Sequence, residues 1–237
     1  MARYRGYAQV CPLAKAAELL CERWTMLVVR ELLFGSQRYS DLRRGIPMVS
    51  PTMLSQRLRE LEDNGVIVRL RPRGSGRKGI GSVAYELTAS GRDLAPVLTQ
   101  MSAWGHRWAV AELRQEDLEP SYMMWVAHKT IRADAMGVQR AVIAYELVDA
   151  PTARRCWWLV VDHGDVELCF KHPGFAIDVT VSTKLQPMAL LILGRLSPKE
   201  AVRSGAVKLE GSPELRRRFP DWYPRSFEYS TTSSRAR

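Results

Sequence analysis

The sequence predicts an α+β fold in two halves, a helix-turn-helix with a basic hairpin followed by an antiparallel sheet with helices. Three observations predict it. Residues 50–65 form one sharply delimited amphipathic helix. A glycine- and arginine-rich connector between two strand-like runs follows it. Beyond a polar break at residues 115–120, strand-like segments come first and helical ones after, the order of an α+β domain.

Taken in order, residues 1–10 are a loose arm, and Cys11-Pro12 opens a helix reaching about Leu20. Trp24 stands where two helices meet and is expected in the core. Residues 25–34 are an apolar helix closed by Gly35, and residues 40–44 a short one opened by Ser40 and ended by Gly45. Residues 46–49 turn into the helix at 50–65, where Ser50 suits the N-cap and Pro51 the first helical position. Leu54, Leu58 and Leu61 fall at i, i+4, i+7 and make one apolar stripe. The opposite face carries Thr52, Gln56, Arg59 and Asp63, with Ser55 and Arg57 on the flanks. That face is neutral or basic over its first two turns, which suits entry into a DNA major groove. The competing reading is an ordinary solvated face.

Residues 66–71 and 83–87 are strands. The connector at 72–82 holds four glycines with Arg73, Arg77 and Lys78, a basic wing. Its competing reading is a glycine-rich loop that contacts nothing. Helix, turn, helix, basic hairpin is the winged-helix order. Thr88 then caps a long helix running to about Gln115, with Leu94, Leu98, Met101, Trp104 and Trp108 at helical spacing. This much apolar surface calls for a partner; packing on its own domain or on the second is the alternative.

Residues 11–108 resemble the HxlR-type bacterial transcriptional regulators. The residues that carry the resemblance are Cys11-Pro12, Arg23-Trp24-Thr25, residues 30–35, 38–43 and 50–62, Tyr85-Glu86-Leu87-Thr88 with Gly91, and Trp104-Gly105. The resemblance implies a homodimer on a roughly palindromic operator, with Leu98, Met101 and Trp104 on the dimer helix. It also implies a redox role for Cys11, against which stands a small packing residue; Cys21 is read as packing. The stretch 74–81 is longer and richer in glycine than the family pattern.

The chain has 237 residues and a formal net charge of +10. Two domains are the expectation: 1–118, 120–224 and a disordered tail at 225–237. Residues 38–78 hold ten Arg or Lys and four Asp or Glu, a net of +6, so the basic charge sits on the helix-turn-helix and wing. No run of 18 apolar residues or signal peptide is present, and four cysteines lack paired metal spacing. These features predict a reduced cytoplasmic protein away from membranes. No phosphate loop, metal cluster or nucleophile motif occurs, so neither catalysis nor a cofactor or metal is expected. His128, His163 and His172 lie far apart.

In the second half, residues 123–130, 137–147, 156–162, 166–171 and 176–182 are strand-like. Residues 162–165 turn a hairpin, 183–193 form a helix, Ser197 caps 198–204, 207–209 are a short strand, and 212–219 are a last helix. Trp158-Leu159-Val160-Val161 with Asp162 and Gly164, residues 178–182, 193–201 and 205–212 resemble the SCP2-like, sterol-carrier-type fold. That resemblance implies an apolar cavity for acyl or sterol-like molecules. Trp125, Trp157, Phe170 and Met188, with Trp158 beside them, are candidates to line it; a core filled by its own side chains is the alternative. The expected function is a dimeric regulator of transcription whose partners are double-stranded DNA, a second copy and a hydrophobic small molecule. The rival is a lipid-binding or assembly module whose DNA binding is secondary.

Overall fold

The computed structural model describes residues 6–70, 83–109 and 113–223. They form two compact units, 6–104 and 105–223. Leu118, at the expected boundary, is buried in the core of the second.

The first unit contains α1 (Pro12–Leu20), α2 (Thr25–Leu33), α3 (Tyr39–Gly45), α4 (Pro51–Asp63), β1 (Ile67–Leu70), β2 (Ala84–Leu87), α5 (Ala89–Arg92) and α6 (Ala95–Trp104). Its core gathers Val28 and Val29 of α2, Leu42 of α3, the Leu54, Leu58 and Leu61 stripe of α4, Ile67 of β1 and Leu98 of α6. The strands pair antiparallel from Ile67 opposite Leu87 to Leu70 opposite Ala84. Arg38 bridges to Ala84, which ties the chain before α3 to the hairpin. The buried Glu31 carboxylate takes the Arg30 guanidinium at 2.8 Å, and Arg30 also donates to the Gly45 carbonyl at 2.9 Å. This clamp fixes the end of α3 against α2. A side chain at position 45 would occupy the space of the Glu31 carboxylate.

The expected continuous helix from Thr88 is broken. α5 ends at Arg92, α6 begins at Ala95, and a π-helical turn covers Gly105–Ala109. Pro96 is the physical reason: it has no N–H to donate, and its ring would clash with the carbonyl four residues back, so it sits in the first turn of a new helix.

The second unit contains α7 (Pro120–Thr130), β3 (Arg140–Leu147), β4 (Cys156–Asp162), β5 (Asp165–Cys169), β6 (Val179–Thr183), α8 (Leu185–Ile192), α9 (Pro198–Arg203), β7 (Val207–Gly211) and α10 (Pro213–Arg218). The strand order is β5-β4-β3-β6-β7. Two expectations are corrected. Residues 123–130 are helix, because Glu119 accepts from the Tyr122 N–H at 2.6 Å and Pro120 takes the first helical position. The sheet is mixed rather than purely antiparallel, since β3 and β6 run parallel from Ile143 beside Val179 to Leu147 beside Thr183. Alternate residues point inward: Ala141, Ile143, Tyr145 and Leu147 of β3, Trp157, Leu159 and Val161 of β4, Val179 and Val181 of β6. They meet Met124 and Ala127 of α7 and Met188 and Leu191 of α8 in one core.

Candidate nucleic-acid interface and the second core

The α4 helix is placed by its own caps and by its neighbours. Ser50 Oγ accepts from the Met53 N–H at 3.2 Å, and the Tyr39 hydroxyl of α3 donates to the Pro51 carbonyl at 3.0 Å. Burial of Leu54, Leu58 and Leu61 fixes the rotation of the helix. Thr52, Gln56 and Arg59 are therefore exposed along one line, and Ser55 is half-buried beside them. Gln56 Nε2 donates to Glu60 at 2.9 Å, which holds its amide along the helix. The helix N-terminus adds a partial positive charge beside Thr52.

Arg57 does not belong to the phosphate-contacting set. It is only 5% exposed. Its guanidinium pairs with Glu22 at 2.9 Å and with Glu60, and its Nε donates to the Arg23 carbonyl at 3.1 Å. Residue 24, next along, is a tryptophan in the left-handed region at φ 79°. Arg57 thus braces the sharp corner between α1 and α2, and its flank position faces that corner rather than solvent. Arg73, Arg77 and Lys78 lie outside the described residues. Arg43 on α3 and Arg69 on β1, which no local sequence pattern marks, are exposed cations of this unit. The excess of basic residues over 38–78 was their only signal.

The three residues assigned to a dimer face separate. Leu98 is buried in the unit's own core, since α6 packs on α2, so it is corrected to a core residue. Met101 and Trp104 are exposed, 49% and 63%, as is Val97 one turn earlier. Cys11, the N-cap residue of α1, and Cys21, which follows that helix, are both exposed. Neither is a packing residue.

The four residues proposed to line a pocket fall in different surroundings. Trp157 and Met188 are buried in the close-packed second core. Phe170 is exposed at the rim, with its ring edge-on to Trp157 at 5.4 Å. Trp125 is buried outside that core cluster, 4.6 Å from the His128 ring and 5.0 Å from the Lys129 ammonium. A surface depression of about 410 Å³ is lined by Asp134, Gln139 and His163 among others, and none of the four borders it. Among the described residues no group of three or more His, Cys, Asp or Glu is arranged to hold a metal, and no helix is long and apolar enough to cross a membrane.

Residues 19–113 match the HxlR-like helix-turn-helix family, and residues 123–221 the SCP-2 sterol transfer family. The uncharacterised HTH-type transcriptional regulator YvaP of Bacillus subtilis is 40% identical over 103 residues, spanning 43% of this chain and 91% of its own length. The HTH-type transcriptional regulator YodB of the same organism is 35% identical over 100 residues, spanning 42% and 86%. A solved structure of the reduced form of YodB covers 44% of this chain and all of that one, at 32% identity and a TM-score of 0.38.

Proposed function

The chain belongs to the HxlR-like helix-turn-helix family of transcriptional regulators and carries an SCP2 domain, and we propose that it reads a palindromic operator as a homodimer. In this reading Thr52, Ser55, Gln56 and Arg59 meet base edges in the major groove, and Arg73, Arg77 and Lys78 of the wing meet phosphates. The observation that carries it is the exposure of Thr52, Gln56 and Arg59 on a helix whose other face is locked into the core. Met101 and Trp104 on the outer face of α6 supply the apolar surface for the second copy.

The SCP2 domain takes an acyl or sterol-like molecule in this reading and biases the dimer between two spacings of its α4 helices. Such a ligand acts only if it binds one state better than the other. The test begins with genome-wide mapping of bound DNA, then titrates the recovered operator across salt. A variant with Thr52, Ser55, Gln56 and Arg59 all changed to alanine should lose operator preference while keeping its fold. Normal operator binding by that variant would overturn the assignment. A chain that binds lipid but no promoter DNA would support the lipid-binding or assembly alternative.

A further inference from the structure

The last described stretch of the second unit closes its core with aromatic side chains. After α10 the chain makes a short 3-10 turn, Phe219–Asp221. Phe219 and Trp222 are fully buried and Tyr223 nearly so. The Phe219 ring lies edge-on to Trp222 at 5.3 Å and to Tyr223 at 5.7 Å. From the middle of β3, the central strand, Tyr145 reaches its hydroxyl to within 2.8 Å of the Tyr223 hydroxyl. The Trp222 indole N–H is buried with no hydrogen-bond partner among the described residues. The Trp222 carbonyl accepts from the Arg132 N–H at 2.8 Å.

A permanent core plug has no use for these polar atoms. A buried N–H left without a partner is costly, and a phenol pair gains little over two apolar groups of the same shape. Burial also holds both phenols protonated well above the usual tyrosine range. The same atoms make sense at a site that is sometimes open, where Trp222 and Tyr223 face water and Tyr145 faces something else. Met124, Met136 and Met188 are fully buried in the same core, and their unbranched side chains can repack around a different occupant.

We propose that residues 219–223 are an internal stand-in for the ligand of the SCP2 domain and are expelled when an uncharged amphiphile enters the core. The single hydroxyl or carbonyl of that amphiphile replaces the Tyr223 hydroxyl opposite Tyr145. The head group is neutral because the core cluster around Tyr145 is built of uncharged side chains, and Arg155, whose Nε is buried in this unit, is not part of that cluster, so an ionised carboxylate beside Tyr145 would lie there without a counter-charge. The expelled segment is the two-state element through which binding is felt outside the core. This proposal deepens the ligand reading above and rests on it.

The test uses the full chain with 1-decanol and decanoate as probes at neutral to mildly alkaline pH. Decanol should bind saturably and raise amide hydrogen exchange over residues 219–223 about tenfold or more, with β3 and β6 unchanged. Decanoate should bind more weakly. Trp222→Ala should bind decanol about tenfold tighter, because less has to be displaced. Tyr145→Phe should lose the preference for decanol over decanoate. The proposal is overturned if decanol does not bind, or if it binds without raising exchange at 219–223. The wild-type exchange result stands alone if Trp222→Ala does not fold. Operator affinity of the same protein without alcohol reports separately on the DNA reading.

Discussion

Arg57 and Arg59 sit two residues apart on α4, and their surroundings give them opposite work. Arg59 is exposed on the outer face, so Arg59→Ala should cost about 1–3 kcal/mol of operator binding and relax choice at one base position. Electrophoretic titrations on operators varied one position at a time will show this; a uniform loss across sequences would place Arg59 on a phosphate. Arg57 is buried among Glu22, Glu60 and the Arg23 carbonyl, so Arg57→Ala should lower unfolding stability by about 1–3 kcal/mol. Its DNA affinity, corrected for folded fraction, should match wild type. Gly45→Ala drives a methyl into the Glu31 carboxylate and should destabilise by about 1–3 kcal/mol in urea unfolding. An unchanged midpoint would mean that the Arg30–Glu31 clamp yields.

At the scale of elements, α6 divides between a core face and an outer face. Leu98→Ala should cost about 2–5 kcal/mol of stability, because it empties a site in the unit's own core. Trp104→Asp should leave stability nearly unchanged and yield monomers in sedimentation. A wild-type chain that is monomeric at micromolar concentration would remove the dimer from the reading. In the second unit, the contact between β3 and the final turn sets a pH dependence. Both phenols have folded ionisation points raised above the unfolded value of about 10. Stability from their neutral form is fully present below that value. As pH rises past it the unfolded chain loses protons first, and stability falls by up to about 1.4 kcal/mol per pH unit for each phenol. Changing both Tyr145 and Tyr223 to Phe should flatten the fall in urea unfolding between about pH 9 and 11; parallel curves would contradict it.

The described residues of the two units form a hydrophobic core each, one around Leu42, Leu54 and Leu61, the other around Ile143, Tyr145 and Leu147. If each core unfolds cooperatively by itself, calorimetry resolves two unfolding transitions. Leu61→Ala should lower one and Leu147→Ala the other, by several degrees each. Both substitutions shifting a single transition would show that the cores unfold as one.

What depends on neighbours a few residues away is legible in the amino-acid sequence. Ser50, Pro51 and the leucine spacing delimit α4 and set its exposed face, because caps and a 3.6-residue period are local properties. Ser197 and Ser212 start α9 and α10 in the same way, each accepting from an N–H three residues on. Local signals are also present where the structure departs from the expected elements. Glu119 and Pro120 mark a helix start, but the apolar run that follows them fits a buried strand as well as a helix. Pro96 marks a new helix inside a stretch whose apolar spacing continues through it. The rest follows from long-range packing. A flank position such as 57 is buried or exposed according to what packs beside it, here the Glu22–Arg23 corner 34 to 35 residues away. The parallel pairing of β3 with β6 joins Ile143 to Val179 across an intervening hairpin, and no local pattern encodes that choice. The filling of the second core by Trp222 and Tyr223 depends on where the stretch after α10 returns in space. Burial and hydrogen bonding of that kind are properties of the packed molecule, decided by residues far apart in the chain.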